Sequence, residues 1–146
     1  MLASIHQDYI LNSTTKGICI CDWNGRVLVM NDVFYEMFKI PERKIKGAKL
    51  YLSPHIPSLS RFEAYRMFRE IQMAKTKREY DAIRVRNDGM RIHVEIEGSS
   101  LQMGYHALLM ITYSFKALVK EDEQIVTMEP IPINSPKSIN RLSQAK

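Results

Sequence analysis

Residues 17 to 31 read Gly-Ile-Cys-Ile-Cys-Asp-Trp-Asn-Gly-Arg-Val-Leu-Val-Met-Asn, and this stretch constrains the fold more than any other. Two short apolar runs, Ile18 to Cys21 and Val27 to Met30, flank the turn Asp22-Trp23-Asn24-Gly25. Gly25 can take a positive φ at no steric cost, and Asp22 and Asn24 are turn formers, so the segment reads as two strands joined by a tight hairpin. Asn31 follows the second run and precedes the helical spacing Phe34, Met37, Phe38. An Asn there accepts a hydrogen bond from a free amide of the first helical turn.

The rest of the chain alternates helical and strand signals. Residues 1–13 carry Leu2, Ile5, Tyr9 and Ile10 at helical spacing. Pro41 and Gly47 bracket a short helix, Pro near its start and Gly at its end. Residues 50 to 58 contain two prolines and read as irregular. Ser60 with Glu63 has capping-box spacing, and the stripe Phe62, Tyr65, Phe68, Ile71, backed by Ala64, Met67 and Ala74, predicts a long amphipathic helix. Arg66 and Glu70 form an expected i,i+4 pair on its polar side. Residues 80 to 86 alternate, Asn87-Asp88-Gly89 turns the chain, and residues 91 to 97 alternate cleanly. There Ile92, Val94 and Ile96 point inward, and His93, Glu95 and Glu97 outward. Gly98 and Gly104 bound a short connection to a final strand, residues 105 to 113, that is apolar on both faces and so is expected to be covered on both. Phe115, Leu118 and Val119 suggest a short helical extension, and the proline-bearing, polar residues 120–146 read as a flexible tail or linker.

This order of motifs resembles the PAS family over about residues 10–115. The resemblance rests on the Asp22-x-x-Gly25 hairpin, the Asn31-capped helix, Ile45-Lys46-Gly47 and Arg86-Asn87-Asp88-Gly89 before an alternating strand. It implies an α+β fold, a five-stranded antiparallel sheet with helices on one face, in a domain spanning residues 14–119. It also implies sensing and signal relay rather than catalysis. The family's sheet surrounds a pocket, which with the alternation places Ile18, Ile20, Phe38, Phe62, Tyr65, Ile83, Val85, Val94, Ile96, Leu109 and Ile111 inside as candidate pocket residues. Ile5, Tyr9, Leu108 and Met110 are the candidate interface. Asp22, Gly25, Asn31, Gly47, Asp88 and Gly89 are structural. The family's usual Asp-Ile-Thr at the end of the core is here Met110-Ile111-Thr112, without the Asp.

Composition narrows the function further. The chain has 146 residues, 45% hydrophobic and 25% charged, enough for one domain with a core. No apolar run approaches the roughly 20 residues that span a bilayer, and the N-terminus has no secretory pattern, so a cytoplasmic protein without a membrane partner is expected. Cys19 and Cys21 lie two apart on one strand, badly placed for a mutual disulfide, and read as small buried hydrophobes. No metal-ligand spacing accompanies them. Residues 39 to 91 hold 14 Lys and Arg against 6 Asp and Glu. That surplus suits nucleic acid or an acidic partner, but no nucleic-acid motif comes with it, so a solvated basic face is the expectation. No nucleophile elbow, phosphate loop or zinc-protease motif is present, which argues against an enzyme. Among the family's cofactors, a photoreactive flavin is disfavoured because residues 41 to 60 lack a Cys, and haem on His55 because that histidine lies between Pro54 and Pro57. No cofactor is required. The expectation is a module of signal transduction or transcription regulation that takes a small apolar ligand in its core and acts as a homodimer or on an effector. Its alternatives are a ligand-free dimerisation or scaffold domain, and a regulator that touches nucleic acid.

Overall fold

Asp22 closes the first turn with its own carboxylate. Its Oδ1 accepts from the backbone N–H of Asn24 and of Arg26, both at 2.9 Å, and Gly25 supplies the left-handed step at φ 89°. The turn joins β1 (Gly17–Asp22) to β2 (Val27–Met30) as an antiparallel hairpin. Asn31 then performs two tasks with one side chain. Its Oδ1 accepts from the N–H of Phe34 at 3.0 Å, capping α1 (Asp32–Phe38), and from the N–H of Ile18 at 2.9 Å, which fastens the helix to β1. Its amide donates to the Lys16 carbonyl at 2.9 Å. The computed structural model describes residues 15–119. The expected helix over 1–13 with Ile5 and Tyr9, and the expected tail over 120–146, lie outside the described residues.

Three short 3-10 turns, Glu42–Lys44, Leu50–Leu52 and Ser58–Ser60, lead into α2 (Arg61–Met73). Gly47, at φ 84°, follows the first of them and donates its N–H to the Val27 carbonyl at 2.8 Å. Three strands complete the chain: β3 (Arg78–Val85), β4 (Arg91–Met103) and β5 (His106–Leu118). The sheet has the order β2-β1-β5-β4-β3 with every neighbouring pair antiparallel. At the β3–β4 turn, Gly89 adopts φ 89° and the Asp88 carboxylate takes the Met90 N–H at 3.1 Å. This is the α+β, five-stranded antiparallel architecture read from the sequence.

Both helices lie on one face of the sheet and bury the main core. Cys19, Cys21, Tyr80, Ala82, Ile92, Val94, Ile96, Leu109, Ile111 and Tyr113 come from the strands, Phe34 and Phe38 from α1, and Phe68 and Ile71 from α2. The approach of α2 depends on Gly98. A Cβ at that position would stand 2.2 Å from Ile71 Cδ1. Without a side chain there, β4 runs straight past the residue that the sequence suggested as its end. The last strand likewise continues to Leu118 in place of the expected helical extension, because β4 offers partners as far as Ile92, opposite Leu118.

Several expectations are corrected. Ile18 and Ile20 are on the outer face, where they pack with Leu108, and Cys19 and Cys21 take the inner positions. Strand periodicity is two, so reading the opposite row as inward moves every residue to the wrong side. Ile83 and Val85 are also outer, because the register pairs Ile83 with outward His93 and Val85 with Arg91. Phe62 is 75% exposed and Tyr65 43% exposed, since α2 turns Ala64, Phe68 and Ile71 to the sheet. Ser60 makes no side-chain cap. Glu63 instead receives both N–H···O bonds of Arg66, at 2.9 and 2.7 Å, and Glu70 faces Tyr80 and Arg78 rather than Arg66.

Candidate functional site

The inner face carries one polar cluster, built where a proline-bound loop meets the end of β3. The loop after the second 3-10 turn is held by its own backbone: Ser53 N–H donates to the Leu50 carbonyl at 3.1 Å and Ile56 N–H to the Ser53 carbonyl at 3.0 Å. It is pinned to the sheet by Val85 N–H, which donates to the His55 carbonyl at 2.7 Å. That bond turns His55 into the core, where it is 0% exposed. Its ring packs edge-on or tilted against Phe34, Phe38 and Tyr113, with centroids 5.4, 4.9 and 5.6 Å away. The Nε2 atom lies 3.1 Å from the Tyr113 hydroxyl, and Nδ1 has no partner.

Arg84 is the neighbour of Val85 and points to the same interior, only 3% exposed. One guanidinium nitrogen, Nη1, donates to the Ile83 carbonyl at 3.0 Å, and Nε–H has no partner. Among the described residues no carboxylate forms an ion pair with it. A buried guanidinium without a counter-ion is costly, and an unpaired buried N–H adds to that cost. Burial first, and the Arg84 charge second, hold the His55 ring well below the usual imidazole range, so it is neutral near pH 7. Burial pushes the Tyr113 phenol well up, so its O–H is retained. The tautomer follows. If Tyr113 O–H donates to Nε2, both groups of that pair are satisfied and only Nδ1–H is left over. The reverse assignment would strand the hydroxyl proton as well as Nδ1. The cluster therefore presents two unpartnered N–H donors, one on His55 and one on Arg84.

Tyr113 joins this cluster to a small cavity of about 10 Å³. The cavity is lined almost wholly by apolar atoms, among them Leu50, Ile56, Met67, Phe68 and Ile111, and lies between α2 and β5. At that size it holds one water at most. Of the eleven pocket residues expected from the sequence, Ile111 lines it. Phe38, Val94, Ile96 and Leu109 are buried in the same core, and Ile18, Ile20, Phe62, Tyr65, Ile83 and Val85 lie outside it. Arg84, His55 and Tyr113 were not among the expected pocket residues. Arg84 had a usable signal: Arg86 N–H bonds the Met90 carbonyl across the Asn87-Asp88-Gly89 turn, which sets Arg84 opposite inward Ile92.

Two further groups are explained by packing. Cys19 and Cys21 are free and buried, and a hydrogen bond between their thiols, helped by burial, pushes the Cys19 pKa well above its ordinary value. A protonated thiol in the core is inert. The basic segment is partly tied down. Lys39 meets Glu36, Lys46 Glu42, Arg66 Glu63, Lys77 Glu97, and Arg86 Asp88. Arg84 is withdrawn into the core, so the basic face is weaker than the count of charges suggests. No cluster of three metal-ligating side chains occurs among the described residues, and no helix among them is long and apolar enough to cross a membrane.

The outer face of the sheet is the second candidate surface. Ile18, Ile20 and Leu108 are buried on it, with Leu28, Val29, Leu101, Met103 and half-buried Met110 packed around them.

Solved structures resemble this arrangement throughout. The PAS domain of an HTR-like protein from Haloarcula marismortui superposes with a TM-score of 0.64 at 12% identity, covering 77% of this chain and 91% of that one. The PAS domain of Bordetella pertussis BvgS gives 0.59 at 14% identity, covering 98% of both chains. The Cronobacter turicensis RpfR quorum-sensing receptor PAS domain, in complex with C12:0, gives 0.60 at 11% identity, covering 73% of this chain and 99% of that one. No curated relative matches the sequence. The sequence model described as the PAS fold matches residues 6–112. With that match over most of its length and the sheet order of its strands, the chain belongs to the PAS family, a family of sensory and signalling modules.

Proposed function

We propose that this chain is the sensor module of a signalling protein, one that responds to occupancy of its core and passes the change to a partner. The observation that carries the reading is the buried cluster of His55, Arg84 and Tyr113, two of whose N–H groups have no acceptor. A core that needed only to be stable would contain neither group. The RpfR domain in complex with C12:0 supports the reading, because that structure shares this fold with a small molecule bound. Entry of a ligand beside Tyr113 would displace Met67, Phe68 and Ile71 and so move α2 against the sheet. Output then passes through the sheet to the outer apolar face around Ile20, Leu108 and Met110, to a second copy or an effector. The role is non-catalytic, in signal transduction or transcription regulation.

A specific observation favours a second reading. The cavity is filled but for room for one water, as expected of a scaffold or dimerisation domain with no ligand. Binding of nucleic acid is the weaker alternative, because six of the fourteen basic side chains of residues 39–91 already face carboxylates and Arg84 is withdrawn into the core.

Native mass spectrometry of the freshly purified chain, with an absorbance spectrum of the same sample, decides between them. The sensor reading expects a discrete added mass that is lost on denaturation. An apo mass alone, with no added mass after incubation with a metabolite extract, supports the scaffold.

A further inference from the structure

We infer that the ligand of this core is an amphipathic monocarboxylate, its carboxylate received by the Nε–H of Arg84 and the Nδ1–H of His55 and its apolar body entering between α2 and β5. The inference deepens the sensor reading and rests on it. Three observations carry it. The site's only formal charge is the guanidinium of Arg84, buried with no carboxylate in ion-pair range among the described residues. The two buried side-chain atoms left without a partner among the described residues, Arg84 Nε and His55 Nδ1, are both donors in the tautomer that satisfies Tyr113. They belong to adjacent backbone segments, joined by the 2.7 Å bond from Val85 N–H to the His55 carbonyl.

A cation with spare donors selects for an acceptor that carries negative charge. A carboxylate offers two oxygens for two donors and neutralises the guanidinium. A hydroxyl would satisfy one donor and leave the charge uncompensated. The body of the ligand is set by the cavity that Tyr113 also lines. Its walls are almost wholly apolar, with Leu50, Ile56, Met67, Phe68 and Ile111 among them, and Tyr51 and Tyr113 are the lining residues that carry a hydroxyl. Met67 is half-buried and unbranched, the kind of side chain that re-packs around an incoming chain at small cost. A polar dicarboxylate or sugar acid would bury unsatisfied groups against these walls.

The test compares octanoate, octan-1-ol and acetate on the full chain, by two-dimensional NMR that observes the Arg84 Nε–H and His55 ring signals, alongside titration calorimetry. Octanoate should bind at least about tenfold more tightly than octan-1-ol, as a charge-assisted pair in a buried site implies. It should shift the Arg84 Nε–H signal downfield, and acetate should bind far more weakly because it leaves the apolar walls unfilled. Arg84→Met should remove the preference for acid over alcohol and keep the binding of octan-1-ol. Equal affinity for acid and alcohol in the unmodified chain would overturn the carboxylate assignment and leave the sensor reading standing. Acetate as tight as octanoate would overturn the amphipathic part. Failure of both eight-carbon probes to bind, in a protein that also carries no added mass, would overturn this inference and the sensor reading together. The comparison of probes on the unmodified chain does not depend on the variant folding.

Discussion

The inner face of the sheet buries charge inside an apolar core, whereas the outer face segregates the two. Outside, the half formed by β2, β1 and β5 is apolar, with Ile18, Ile20, Val29, Leu108 and Met110. The half formed by β3 and the start of β4 carries the charged pairs, beside Ile83 and Val85: His93 Nε2 lies 3.0 Å from Asp81, and Lys77 pairs with Glu97 at 3.0 Å. Inside, His55 is enclosed by Phe34, Phe38 and Tyr113, and Arg84 is buried in the same interior. Separation of polar from apolar is what stability alone favours. Mixing them in the interior costs free energy that a ligand can return, and the inner face is where such a return has the larger effect.

The largest expected effect is on the inner face. Phe38 is fully buried and meets both Phe34 and Tyr113 ring to ring, at 4.9 and 5.4 Å. Phe38→Ala should destabilise the fold by about 4 kcal/mol in urea unfolding, the usual cost of an aromatic cavity. Leu108→Asp probes the other face. Leu108 is already buried within the single chain, so a carboxylate there should cost about 3 kcal/mol of fold stability. An unchanged urea midpoint would show that this half of the outer face is open surface, and the comparison between the faces would have to be redrawn. Gly98→Ala comes next, at about 2 kcal/mol, because its methyl group would force Ile71 away and lift α2. Crowding at this point should not be cured by a second substitution on the outer face, but Ile71→Val should recover part of the loss.

The parts of this molecule that were legible in the sequence are those fixed by local chemistry. Asp22, Gly25, Asp88 and Gly89 each act within a few residues of themselves, as does Asn31 in its cap bond to Phe34, so turn and cap rules reach them. The facing of the strands was legible only where one row is polar. Residues 91 to 97 alternate and were read correctly, while in β1 both rows are apolar, Ile18 and Ile20 against Cys19 and Cys21, and the alternation has no content. In β3 the row Tyr80, Ala82, Arg84 competes with Asp81, Ile83, Val85, and a lone charge outweighed the pairing register. On α2, Phe62 and Phe68 are equally apolar, and which of them meets the sheet depends on the contact at Gly98, far away in sequence. His55 was legible as a loop residue. Its burial follows from the bond of its carbonyl to Val85, which no local pattern announces.

Arg84→Met tests the contrast with the opposite sign. Substitution of a buried, unpaired cation by an unbranched apolar side chain of similar length should raise the stability of the ligand-free protein by about 1 kcal/mol. The gain should appear as a higher urea midpoint with an unchanged slope. A loss of stability would mean that the guanidinium is compensated in the free protein, and that the inner face is not holding an unsatisfied charge. The matching lysine variant, Arg84→Lys, keeps the charge and loses the fork, and should not show the gain.

The smallest effect is the dependence of stability on pH, and it separates the faces by window. Burial, and then the charge of Arg84, lower the His55 pKa in the folded state. The unfolded chain, with an imidazole near roughly 6.5, therefore binds more protons than the folded chain below that pH. By linkage, stability falls as the solution is acidified through about 6.5 and is flat above it. The groups that bear on the ring are Arg84 and the Tyr113 hydroxyl, and neither titrates in this window. Asp88 contributes the same sign at lower pH. Its carboxylate, exposed and held at about 2 by the Arg86 guanidinium, loses its stabilising charge only as the pH falls below the usual carboxylate range. Urea midpoints taken between about pH 5 and 8 should thus show a slope that His55→Gln abolishes and Asp88→Asn leaves in place. A slope that survived His55→Gln would place its source outside the inner-face cluster of His55, Arg84 and Tyr113, and the buried ring would not be the group through which protons act on the fold.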